Sequence, residues 1–100
     1  MIELYRTTER GLERVDEFSP GCWVNVVAPT PEEVAWLQAS LAAPPDFLTY
    51  SLDLDERART EREDGATLIV LRVPLAQGPD ADVPYATVPL GIVVTDAHIA

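Results

Sequence analysis

The segment from Ala66 to Leu75 constrains this chain most. Leu68 and Val70 lie on one side of an extended backbone there and Ile69, Leu71 and Val73 on the other, with Arg72 as the one interruption. A helix crossing a bilayer needs about 20 apolar residues, roughly twice what this run supplies. Its β-branched composition instead predicts a strand, and apolar residues on both sides predict a central strand covered on both faces. Glu63-Asp64-Gly65-Ala66 precedes it, and an Asp-Gly centre accepts the positive φ angles of a two-residue hairpin. A strand beginning at Ala58 therefore turns back into the apolar one. After the polar connection Gln77–Asp82, Tyr85 to Thr95 reads as a further strand, bent or bulged at Pro89 and Gly91.

The preceding half alternates between strand and helix signals. Ile2–Arg6 and Leu12–Phe18 read as modest strands, and the turn residues Ser19-Pro20-Gly21 lead into a strand over Cys22–Val27. Thr30 then suits a helix N-cap, Pro31 the first helical position, and Glu33 the reciprocal position of a capping box. Val34, Leu37 and Leu41 share one face of that helix, and Ala43-Pro44-Pro45 ends it because a residue before proline avoids the helical region. A second short helix follows, with Phe47, Leu48 and Leu52 as its buried stripe, before the acidic run Asp53-Leu54-Asp55-Glu56. His98-Ile99-Ala100 reads as the start of another strand, so the fold is expected to be truncated at its C-terminal end. One hundred residues make one domain. The expected class is α+β, with a mixed, largely antiparallel sheet and flanking helices.

Charge narrows the partners. Seventeen acidic residues face seven arginines and no lysine, for a net charge of −10, so nucleic-acid backbones and anionic lipid surfaces are repelled while small cations are drawn near. The single Cys22 cannot form an internal disulfide, and in an apolar strand it reads as a small buried hydrophobe. The opening residues MIELYRTTERG carry no signal-peptide pattern. Five scattered glycines make no phosphate loop. His98 is the one histidine, which excludes an imidazole cluster and leaves Ser-His-Asp or Cys-His chemistry dependent on a single residue. Trp23, Trp36, Phe47 and Tyr85 fit core and interface packing. No catalytic constellation is expected.

Three blocks in order carry a resemblance: Trp23, Asn25, Pro29, Thr30, Glu32 and Glu33; then Asp55, Glu56, Arg57, Arg59 and Glu61; then Pro89, Leu90, Gly91 and Ile92. Together they resemble the amino-terminal domain of the CorA-like family of magnesium and divalent-cation transporters. The resemblance implies a soluble domain on the cytoplasmic face of the cell membrane, part of the funnel of a homopentamer. The membrane helices and their Gly-Met-Asn signature would lie downstream of this sequence. It further implies that magnesium, or cobalt or another divalent cation, bound between neighbouring domains holds the pore closed. The acidic pair expected in the helix before the hairpin would fall at Thr49 and Tyr50, which are not acids. Asp53, Asp55 and Glu56 lie just beyond and are the expected ligands of this regulatory intersubunit site, since magnesium takes hard carboxylate oxygens, often only one or two. Glu61, Glu63 and Asp64 are assigned to the hairpin. The alternative function is a stand-alone acidic protein-interaction module.

Overall fold

The computed structural model describes residues 1–100. The elements are β1 (Ile2–Thr8), β2 (Gly11–Val15), β3 (Trp23–Val26), α1 (Pro31–Ser40), α2 (Pro45–Leu52), β4 (Arg59–Glu63), β5 (Ala66–Ala76) and β6 (Tyr85–Val94). They build two antiparallel three-stranded sheets, ordered β2-β1-β3 and β4-β5-β6. The last residues join them. Ile99 bridges Trp23 in parallel and Val94 antiparallel. Val24 N–H donates to the Ile99 carbonyl at 2.7 Å, and Val93 and Ala100 exchange bonds of 2.7 and 2.9 Å. The result is the expected α+β class with one mixed, largely antiparallel sheet; the strand expected over His98–Ala100 is present only as the bridge at Ile99.

Local chemistry explains the element boundaries. Asp64 and Gly65 have φ of 52° and 80°, the geometry of a type I′ turn, and close the hairpin at the pair Glu63↔Ala66. Thr30 caps α1 by accepting from the Glu33 N–H, and Glu33 accepts from the Thr30 N–H, completing the predicted capping box. β2 ends at Val15 rather than at Phe18, because Phe18 leaves the strand to pack edge-on against Trp36 and stack on His98.

β6 carries no bulge. Its pairing with β5 runs unbroken from Thr67↔Val94 to Ala76↔Tyr85. Antiparallel residues alternate between facing one neighbour and the other. Since Val93 exchanges its bonds with Ala100, the odd-numbered residues of β6 turn their main-chain groups away from β5. Proline at position 89 therefore removes no bond from the β5–β6 ladder.

Both helices cover the same face of the sheet. Phe47 of α2 packs with Ala66, Leu68, Val70 and Val93, while Val24, Leu37, Leu41 and Leu48 form a second cluster, and Ala43 touches both. The expectation that β5 is covered on both faces is corrected. Leu68 and Val70 are buried, but Leu71 and Leu75 are 43% and 53% exposed, because no element crosses the far side. Leu52 is likewise exposed rather than part of the buried stripe, because it is the final helical residue and lines an open groove between α2 and the sheet. Only 11 of 100 residues are buried, so the core is thin. The radius of gyration, 14.9 Å, exceeds the roughly 13 Å of a compact 100-residue domain. The β5–β6 ladder causes this, running past the end of β4.

The cap at α1 makes the fold sensitive to acid. The Thr30 backbone N–H, then the Met1 ammonium at 3.1 Å, hold the Glu33 carboxyl below its ordinary value of 4.5. A carboxylate whose pKa is lower folded than unfolded stabilises in full above the unfolded value and loses that contribution as pH falls through the folded one. Below pH 4.5, melting temperature is therefore expected to fall more steeply with acid in the native chain than in Glu33→Gln. Parallel slopes in thermal melts followed by circular dichroism contradict this.

Candidate functional site

The acidic run forms a tight turn where α2 gives way to β4. Asp53 is the C-cap of α2, its backbone extended and its N–H bonded to the Tyr50 carbonyl. Its Oδ1 accepts the Asp55 N–H at 3.0 Å, and its carbonyl accepts the Glu56 N–H at 3.1 Å. Such short-range bonding is the habit of Asp in turns and fixes the direction in which its neighbours project. The side chains of Asp53 and Asp55 are exposed, while Glu56 is half-buried.

Glu56 is engaged by an arginine. Its Oε1 pairs with Arg59 Nη1, and Arg59 Nε reaches Glu61 Oε1 at 3.2 Å. The Arg59 guanidinium also stands over the Tyr50 ring, 4.9 Å from its centre, within the range of a cation–π contact. Burial alone would lower the pKa of Arg59, but its hydrogen bonds to Glu56 and Glu61 outweigh that and raise it. A permanent positive charge on Glu56 disfavours a cation at the same oxygen. The three predicted ligands therefore divide: Asp53 and Asp55 face solvent and Glu56 faces Arg59. No three His, Cys, Asp or Glu side chains converge as a metal-binding group. Thr49 is exposed and Tyr50 lies beneath Arg59, so neither supplies a carboxylate.

A second arginine positions the turn. Arg72 Nη1 donates to the carbonyls of Leu54 and Glu56 at 2.8 and 3.0 Å, and its Nη2 donates to the Thr87 carbonyl at 2.8 Å. Arg72 thus ties the turn to β6 across β5, using the planar fork of donors that lysine lacks. Its signal in the sequence was the lone charge inside an apolar strand. The partners were invisible because Leu54 and Glu56 lie 18 and 16 residues away.

The remaining residues singled out from the sequence lie elsewhere. Cys22 is buried, its Sγ beside Ser19 and donating to the Glu17 carbonyl. His98 is buried against Phe18, and its Nδ1 has no partner. Glu63 and Asp64 close the hairpin as expected. No helix is long and apolar enough to cross a membrane.

Neither a protein-family profile nor a curated protein sequence matches the chain. Solved structures do. The complete CorA magnesium transporter of Methanocaldococcus jannaschii superposes with a TM-score of 0.79 at 21% identity, over 99% of this chain and 31% of that one. The soluble domain of CorA from the same organism superposes with a TM-score of 0.76 at 23% identity, over 99% of this chain and 38% of that one. The chain therefore has the fold of part of the CorA soluble domain and spans about a third of the length of these two proteins.

Proposed function

We propose that this chain is the amino-terminal cytoplasmic domain of a longer CorA-type transporter of magnesium or a related divalent cation, serving pore assembly and cation sensing. The observation that carries this reading is the likeness to the CorA soluble domain over 99% of the chain. Net charge supports it, since −10 on one hundred residues concentrates cations near the surface. In this reading Asp53 and Asp55 supply one wall of a magnesium site between neighbouring domains in a pentamer. Glu56 acts through Arg59 by holding the turn in place. A site of one or two carboxylates leaves magnesium most of its water, so a lone domain holds it weakly.

Sedimentation with and without magnesium tests the proposal. The isolated domain is expected to bind magnesium with a dissociation constant on the order of millimolar, and added magnesium is expected to promote its association. Asp53→Asn with Asp55→Asn abolishes both effects while the melting temperature holds, because both side chains are exposed. An association state indifferent to magnesium points instead to a stand-alone acidic interaction module. Tight one-to-one binding by the monomer overturns the shared site.

A further inference from the structure

Of the four ion pairs in the chain, the one between Arg59 and Glu56 is the most enclosed, its side chains 28% and 17% exposed. It stands at the end of the acidic turn, on two of whose carboxylates the proposed magnesium wall depends. We propose that Arg59 is an autoinhibitory contact: a built-in counter-ion that occupies Glu56 and Glu61, keeps divalent cations off them, and leaves cation binding to Asp53 and Asp55 alone. The proposal rests on reading the turn as a magnesium wall and names what regulates it.

The fold closes three elements around one guanidinium. Arg59 and Glu61 lie opposite Val70 and Leu68 in the β4–β5 ladder, and residues directly opposite each other project to the same side of the sheet. Val70 and Leu68 are buried under α2 with Phe47, so Arg59 and Glu61 rise on the helix-covered face. Tyr50 of α2 meets them there. It packs against the same buried cluster, and its ring centre lies 4.9 Å from the guanidinium carbon. Glu56 arrives from the turn, three residues before Arg59. Nη1 donates to Glu56 Oε1 and, at 3.2 Å, to the Arg57 carbonyl, while Nε donates to Glu61 Oε1 at 3.2 Å.

This arrangement favours the arginine over a divalent cation. Magnesium gives up its water reluctantly, whereas a guanidinium is weakly hydrated and gains from an aromatic face as well as from carboxylates. Arg59 is also part of the chain, so its effective concentration at Glu56 does not fall on dilution. Asp53 and Asp55 differ, since neither is paired with an arginine. The consequence concerns assembly. With Glu56 and Glu61 released, a single domain would offer a second pair of carboxylates and could hold a cation without help. By withholding them, Arg59 leaves each domain half a site and makes cation binding depend on a neighbouring copy.

Calorimetric titration of this chain with magnesium chloride tests the proposal. Arg59→Met is expected to bind magnesium at least about tenfold more tightly than the native chain while remaining a monomer in sedimentation. Arg59→Lys, which keeps the charge, is expected to bind as weakly as the native chain. So is Arg10→Met, which removes one exposed charge from the β1–β2 turn. Adding Glu61→Gln to Arg59→Met is expected to cancel most of the gain. Native affinity in Arg59→Met, or an equal gain in Arg10→Met, overturns the proposal. A second reading needs no variant: in carbon NMR of the native chain, the side-chain carboxyl signals of Glu56 and Glu61 are expected to hold still as magnesium is added to millimolar levels. Movement of either signal in that range overturns the proposal. The gain is read on a monomer, so it stands even where magnesium fails to promote association of the native chain, a result that counts against the shared site alone.

Discussion

Phe47→Ala is expected to lower unfolding free energy by about 3–5 kcal/mol, the usual cost of removing a fully buried phenylalanine. Phe47 has no exposed surface, and it is the one helical residue in a buried cluster whose other members, Ala66, Leu68, Val70 and Val93, all come from the sheet. Its ring is the contact through which α2 covers β5 and β6. Small domains have only about 5–15 kcal/mol of net stability, and with 11 buried residues this one has few other contacts to compensate. Urea titration followed by circular dichroism should show the midpoint falling to a fraction of its native value. Tyr85→Ala, at a position 62% exposed, is the matched control and should move stability by less than about 1 kcal/mol. A loss of that small size at Phe47 shows that α2 does not pack as described.

Gly91→Ala is the second large effect, and its cause is space. A β-carbon at this position would lie 1.9 Å from Ser51 Oγ, 2.3 Å from Ser51 Cβ and 3.1 Å from Ser51 Cα. The hydroxyl is anchored by its bond to the Phe47 carbonyl at 2.8 Å, and the deeper two atoms cannot swing aside. Either α2 lifts from β6 or the sheet bends, at a cost of about 1–3 kcal/mol by the measure of overpacked cores. A domain of this size loses about 4–8 °C of melting temperature per kcal/mol. Combining Gly91→Ala with Ser51→Gly should recover part of the loss, reduced by the roughly 1 kcal/mol that glycine costs inside a helix. Additive effects of the two changes in thermal melts contradict the proposed contact.

These two residues differ in how far the sequence revealed them. Phe47 was legible as a core residue, because its spacing beside Leu48 in a proline-started helix is a local pattern. Gly91 was legible only as an irregularity, and the expected bulge is absent. The glycine is needed because a helix some forty residues earlier presses against it. Pro89 looked disruptive for a similar reason; which edge its missing N–H faces depends on Ala100 pairing with Val93. For the candidate site, the acidic run Asp53-Leu54-Asp55-Glu56 stood out by composition. Its division into two free carboxylates and one held by Arg59, and its attachment to β6 through Arg72, follow from pairings that the linear order does not display.

The sequence by itself determined the parts governed by a few neighbouring residues: the capping box at Thr30 and Glu33, the Asp64-Gly65 turn and the proline stop after α1. There the energies are backbone preferences and hydrogen bonds that close within one turn, so residue identity suffices. Tertiary structure alone decided which sheet face is covered. Alternation shows that both faces of β5 are apolar, but cover depends on where α1 and α2 cross, and both cross one side. It likewise decided that Ile99 joins two sheets into one, because strand neighbours are chosen by contacts between residues far apart in the chain.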